Sequence, residues 1–215
     1  MKHITLITGG QRSGKSSYAE RLALELSANP IYMATAHIWD EEFRQRVRVH
    51  QERRGPEWTN IEEEKYLSRF NVAGRVVLID CCTLWATNFF FSIADQASEE
   101  QAERASEEQA ERASEEQAEN SKQASEEQAE RASEEKAQQL PNVDKVLQLM
   151  KEEFDRFTAQ DATFVFVTNE IGLGGTSANA VQRRFTDLLG WFNQYVASKA
   201  DEVILMVSGI AVKIK

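Results

Sequence analysis

Two stretches of the sequence carry residue types that do chemistry at phosphorus. The first is "GGQRSGKS", the octapeptide Gly9-Gly10-Gln11-Arg12-Ser13-Gly14-Lys15-Ser16, which fits the pattern G-x-x-x-x-G-K-S. Its glycines let successive backbone amides turn inward on a polyphosphate. The ammonium of Lys15 neutralises the outer phosphates, and Ser16, opening a helix, can ligate Mg2+. Many proteins share this short pattern, but here it lies between an apolar run and a helix-forming run, the context it requires. It predicts a nucleoside triphosphate site.

The second is "RQRVRVHQERRGPEW", residues 44–58, with one histidine among five arginines. On a helix over 40–54, Arg46, His50 and Arg54 share a face, with Arg53 beside them. Two readings stand side by side. Asp40, Glu41 and Glu42 at the start and arginines at the end complement a helix dipole, so the segment can be a solvated helix and nothing more. Alternatively, the guanidinium groups disfavour imidazolium and keep His50 a neutral nucleophile at neutral pH, while they bind the oxygens of a triphosphate under attack. His3 and His37 have no comparable arginine setting.

Two carboxylates complete the set. Asp80 ends the apolar run "RVVLID", where a parallel sheet presents its ligand-facing ends, and is a natural partner for Mg2+. Its other reading is an N-cap for the helix that starts near Thr83. Glu170 follows "FVFVTN" at the corresponding end of another strand, beside "GLGG"; from the sequence its role stays open between function and a mobile loop.

The elements that must position these residues alternate strand and helix. "HITLIT", "PIYMAT", "RVVLID" and "ATFVFVTN" read as strands. "GKSSYAERLALELS", "DEEFRQRVRVHQERR", "TLWATNFFFSI", "VDKVLQLMKEEFDRF" and "NAVQRRFTDLLGWFNQYVASKA" read as helices, and the stretch with Trp58 that precedes "RVVLID" as loop. "EVILMV" and "AVKIK", separated by "SGI", form a strand pair close enough for an antiparallel hairpin. Short apolar strands with intervening helices predict an α/β fold of the P-loop NTPase kind: a mainly parallel sheet with helices on both faces and a C-terminal antiparallel edge hairpin.

Residues 97–139 interrupt this alternation with a repeat. "ASEEQAER" occurs at 97, 105 and 124, with variants at 113 and 132. An eight-residue period drifts about 80° per repeat at 100° per residue, so no fixed apolar stripe forms. The segment reads as a solvated helix or a disordered charged loop, not a coiled coil. It holds fourteen glutamates, three arginines and two lysines, a net of −9 out of the chain's −10. The rest is thus nearly neutral, and the basic cluster at 44–54 is a local feature. Without the repeat 172 residues remain, so the expectation is one P-loop domain over 1–215 interrupted at 97–139.

The apolar runs are all far shorter than the ~20 residues a membrane helix needs. "MKHITLITGG" runs straight into the phosphate loop and does not read as a signal peptide. Adjacent Cys81 and Cys82 suit no zinc site and no easy disulfide, which points to reduced, structural thiols. A soluble cytoplasmic protein without membrane insertion is expected. Nucleic acid is not an expected partner, because no repeated basic or aromatic platform accompanies the arginines.

The chain resembles the bifunctional adenosylcobinamide kinase and adenosylcobinamide-phosphate guanylyltransferase family of cobalamin biosynthesis. The resemblance rests on "TGGQRSGKSSYAE", "YMATAHIWDEEFRQRVRVHQERR", Trp58 with Glu62 four residues on, "LIDCCTLWATN", "VTNEIGLG" and "ADEVILMVSGIAVKIK", and covers nearly everything outside the repeat. It implies that His50 is a covalent guanylyl carrier and that Gly9 to Ser16 bind nucleotide phosphates. It also implies that Thr35, with Ala34 and Ala36, lines the site, and that Arg53, Arg54, Glu62 and Asp80 contact the nucleotide or its metal. ATP and GTP are then substrates with Mg2+, adenosylcobinamide and its phosphate are the acceptors, and the assembly is a homotrimer whose site a neighbouring subunit completes. Two features depart from the family: a proline two positions after Arg54 instead of directly after the arginine, and the repeat in place of a short variable stretch. Residue chemistry alone leaves two rivals, a plain P-loop small-molecule kinase with a structural His50, and a nucleotide-dependent switch whose acidic repeat recruits a partner.

Overall fold

A computed structural model describes residues 1–37, 45, 54–93 and 141–215. His50, Arg53, most of the predicted helix over 40–54 and the whole repeat at 97–139 lie outside the described residues. The chain divides into two compact units, Met1–Phe89 with Val143–Lys215, and Phe90–Asn142. All seven strands described below belong to the first.

The strands form one sheet: β1 (His3–Gly9), β2 (Ile31–Ala34), β3 (Thr59–Glu62), β4 (Val76–Asp80), β5 (Thr163–Val167), β6 (Glu202–Val207) and β7 (Ile210–Lys213). Their order is β3-β2-β4-β5-β1-β6-β7, parallel throughout except where β7 returns antiparallel to β6. The helices are α1 (Lys15–Leu26), α2 (82–93), α3 (Val143–Thr158) and α4 (Ala180–Lys199). The predicted α/β class with its antiparallel edge hairpin is what the chain adopts.

Unbroken burial along β1, β4 and β5 explains why these runs do not alternate apolar with polar: each strand is covered on both faces. On one face Ile7, Val165, Val167 and Leu78 pack with Ala19 and Ala23 of α1, whose small side chains let the helix lie close to the sheet. On the other, Phe164 and Phe166 meet Phe157 and Phe154 of α3, and Phe154 meets Phe192 of α4, with ring centroids 5.1–6.2 Å apart. Such offset and edge contacts are the favoured geometries for buried rings. α4 is capped by Asn179, whose side chain accepts from the Gln182 amide. Among the described residues no helix is long and apolar enough to cross a membrane.

One strand was not legible: β3 lies within the segment read as loop. It has four residues, mostly exposed, with Ile61 its one apolar side chain, so it carries no hydrophobic signature. Pairing with β2 along the sheet edge makes it a strand.

Register sets the site. Glu62 pairs with Ala34, Ala34 with Asp80, Asp80 with Val167, and Val167 with Ile7. Three predicted site residues thus share one transverse row at the carboxyl end of the sheet, two residues short of the phosphate loop's first glycine.

Candidate functional site

The loop leaving β1 closes on itself through glycine geometry. Gly9 has φ +147° and Gly14 φ +93°, conformations that side chains strain. A Cβ at Gly9 would also run into the Met206 carbonyl oxygen of β6. The Ser13 amide donates to Gly10 O at 3.3 Å, and Arg12, exposed, takes a left-handed φ of 58° to complete the bend. The loop is held from outside as well. Glu170 N–H donates to Gly9 O at 3.1 Å, and Gly209 N–H in the β6–β7 turn donates to Ser13 O at 3.0 Å.

Lys15 folds back over this loop. Only 7% exposed, its Nζ donates to Gly10 O at 2.6 Å and lies 3.5 Å from Ser13 Oγ. Burial pushes its pKa below the ordinary lysine value, while the carboxylates of Asp80 and Glu170 hold it up. The Cys81 thiol nearby is pushed up to about 12, chiefly by burial, so at neutral pH it is uncharged and the carboxylates supply the opposing field. Ser16, in the first turn of α1, is partly buried and its hydroxyl makes no hydrogen bond among the described residues.

Asp80 does not cap α2. Its Oδ2 accepts from the Tyr32 hydroxyl at 2.9 Å, and among the described residues no amide of α2 donates to it. Tyr32 packs edge-on against Trp58, with ring centroids 5.8 Å apart, and carries the Arg54 guanidinium over its face at 3.5 Å, a cation–π arrangement. Among the described residues, Nε and Nη1 of Arg54 are buried without a hydrogen-bond partner. Buried guanidinium donors left unpaired are costly, and an anionic oxygen is the group that satisfies them. Gln45 is helical but Arg54 is not: Gly55 and Pro56 follow it, and a proline disfavours helix in the residue before it. The helix expected over 40–54 thus does not include Arg54, and whether Arg54 shares a face with His50 lies outside the described residues.

Thr35 is fully buried. Its hydroxyl donates to Cys81 O at 2.8 Å and accepts from Cys81 N at 2.9 Å. Thr35 O in turn accepts from Asn88 of α2 at 2.7 Å. The residue fixes the chain just past Asp80, and its hydroxyl is spent on that task. Ala34 ends β2, Ala36 follows Thr35 partly buried, and Glu62 ends β3 exposed. The structure thus gathers Lys15, Asp80 and Glu170 at the loop and links Asp80 to Arg54 through Tyr32. Sequence reasoning missed Tyr32, because in "PIYMAT" it is one more apolar strand residue.

Residues 5–214 match the family described as cobinamide kinase / cobinamide phosphate guanyltransferase. The chain belongs to this family. It is 32% identical over 214 residues to the bifunctional adenosylcobalamin biosynthesis protein CobU of Salmonella typhimurium, covering 98% of both chains. It is 33% identical to CobU of Escherichia coli, again over 98% of both. It is also 30% identical to CobP of Pseudomonas aeruginosa, over 98% of this chain and 96% of that one. This member of the cobinamide kinase / cobinamide phosphate guanyltransferase family is accordingly an enzyme with two transferase activities, a kinase of adenosylcobinamide and a guanylyltransferase of its phosphate. Its chemistry depends on nucleotides and its substrates are small molecules.

Proposed function

We propose that the loop from Gly9 to Ser16 holds the triphosphate of ATP or GTP, whose terminal phosphoryl passes to the aminopropanol hydroxyl of adenosylcobinamide. Neutral His50 then attacks the α-phosphorus of GTP and forms a phosphoramidate as pyrophosphate leaves. Adenosylcobinamide phosphate takes the GMP from His50, giving adenosylcobinamide-GDP. Covalent catalysis divides one difficult displacement into two.

The observation that carries the first step is Lys15, buried at the tip of the loop with its ammonium turned onto the loop's own Gly10 carbonyl. A phosphate oxygen is a stronger acceptor than that carbonyl. Ser16 Oγ, which makes no hydrogen bond among the described residues, and Asp80, with one oxygen on Tyr32, are hard oxygen donors of the kind Mg2+ takes. Among the described residues no group of three or more His, Cys, Asp or Glu could hold a metal. Mg2+ in nucleotide sites is commonly held by one or two protein oxygens together with water and the nucleotide's phosphates. Such an ion would neutralise charge on the phosphate oxygens. Arg54, with two buried donors unpaired, suits the phosphates of the guanylyl donor, and the resemblance adds Arg53, Glu62 and the segment from Ala34 to Ala36.

The second step rests on family membership and on the resemblance at His50. The same reading takes the chain as one P-loop domain carrying residues 97–139 as an insertion, acting as a homotrimer in the cytoplasm, where ATP and GTP are at hand. Incubation with GTP labelled at the α-phosphate and Mg2+, followed by denaturation and intact mass, tests it. A GMP-sized, acid-labile adduct that is absent from His50→Ala is expected. No adduct in protein that still phosphorylates adenosylcobinamide would sink the covalent step and leave guanylyl transfer to proceed without a histidine intermediate.

A further inference from the structure

Glu170 is a carboxylate that the reading above leaves without a task, and the structure has fixed it with care. Its backbone N–H donates to Gly9 O at 3.1 Å, which pins it to the start of the phosphate loop. Its Oε1 accepts from the Thr8 hydroxyl at 2.7 Å and from Asn193 Nδ2 at 3.2 Å. The polarity of this small network is fixed. Asn169 O and the Glu170 carboxylate can only accept, so Asn193 turns its Nδ2 donor side to them, and its Oδ1 accepts from the Thr168 hydroxyl at 2.7 Å. Thr8, Thr168 and Asn193 are all buried. Both donors converge on one oxygen of Glu170, and its other oxygen, Oε2, makes no hydrogen bond among the described residues.

Position singles it out among the carboxylates. Glu170 follows β5, the strand beside β1, and its backbone N–H is bonded to Gly9 O at the start of the loop; at Lys15 its field acts together with that of Asp80, the larger of the two. Asp80 ends β4, two strands from β1, roughly 10 Å away by strand spacing, and one of its oxygens is taken by Tyr32. Glu62 ends β3, four strands from β1 and about 19 Å off by the same spacing.

We propose that Glu170 is the general base of the phosphorylation step, its Oε2 accepting the proton of the acceptor hydroxyl as that oxygen attacks the terminal phosphorus. The inference rests on the reading that the loop from Gly9 to Ser16 holds the phosphoryl donor. The new O–P bond forms as the bond from the terminal phosphorus to the bridging oxygen breaks. The electron pair leaves with the nucleoside diphosphate, and the hydroxyl proton passes to Oε2 and then to solvent. In phosphoryl transfer the protein does little covalent work, and a carboxylate that orients and deprotonates the nucleophile is one of the few groups that must be placed.

Glu170→Gln separates this role from mere bracing of the loop, because its amide oxygen can still accept from Thr8 and Asn193 while the basic oxygen is gone. With the full chain, adenosylcobinamide and Mg2+-ATP, the variant is expected to lose about a hundredfold or more in kcat for phosphorylation. The KM for ATP and the rise in melting temperature with Mg2+-ATP should stay near wild type, and the acid limb of the wild-type pH–rate profile should disappear. A variant with full kcat overturns the inference. So does one that no longer responds to nucleotide, which would make Glu170 a brace for the loop. Wild-type protein that forms no phosphate ester would overturn the functional reading itself, and the inference with it.

Discussion

Lys15 carries a conflict between binding and stability. On the function proposed above the ammonium meets phosphate oxygens from a buried position, and burial disfavours its charged form, so its folded pKa lies below the ordinary 10.5. Between the folded and unfolded values the unfolded chain binds more protons. Stability therefore rises with pH through that window and is depressed below it. Lys15→Met removes the penalty along with the charge. Nucleotide-free Lys15→Met is expected to melt above wild type at neutral pH, with the gap narrowing as pH rises toward 10.5, and ATP should no longer raise its melting temperature. Melting curves over a pH series check this. A variant that melts lower at neutral pH would mean that the bonds to Gly10 and Ser13 outweigh the cost of burial. The residues of this site were legible in unequal measure. Lys15 and Asp80 declare themselves by a motif and by a strand end. The roles of Tyr32 and Asn193 come from neighbours 48 and 23 residues away, a relation that no local pattern holds.

At the scale of elements, the strands that read clearly were those buried on both faces, because a continuous apolar run is how such burial is written. β3 did not read, since an exposed edge strand is specified by the backbone of β2 and not by its own side chains. The β6–β7 hairpin read well, and the structure gives its turn a second function. Ser208 and Gly209 have φ of 52° and 84°, the paired positive values of a two-residue hairpin turn between Val207 and Ile210. The same Gly209 amide holds Ser13, and a Cβ at Gly14 would stand 3.4 Å from Gly209 Cα. The hairpin is thus a buttress for the phosphate loop, reaching it from the far end of the chain. Gly209→Ala forces a side chain into left-handed backbone and should cost about 1 kcal/mol of stability. It should also weaken triphosphate binding, although the residue carries no side chain to contact a ligand. Chemical denaturation and a nucleotide titration on one preparation test both effects. Weakened stability with unchanged affinity would show that the turn does not position the loop.

At the scale of the whole molecule, the repeat is where sequence and fold part company. Every strand of the sheet belongs to the unit made of Met1–Phe89 and Val143–Lys215, whereas residues 97–139 fall within the other unit, Phe90–Asn142. The repeat holds −9 of the chain's net −10, so it dominates the charge of the molecule while the sheet is assembled without it. Opening a connection from ~5 residues to the length of this segment costs only about 2 kcal/mol in loop-closure entropy, which a domain with this much buried aromatic core can absorb. Deleting 97–139 and joining the ends with a short flexible linker should therefore leave the melting temperature unchanged or a few degrees higher. Phosphorylation and guanylyl transfer should persist within about threefold, a change of under ~1 kcal/mol in either barrier. On an anion exchanger the shortened protein should elute far earlier, as a nearly neutral molecule. Sedimentation of both proteins at equal concentration then separates two roles for the segment. Equal mass per protomer in the assembly would make the repeat a passenger on the fold. A change in the number of protomers, with activity lost alongside, would make it part of how subunits meet.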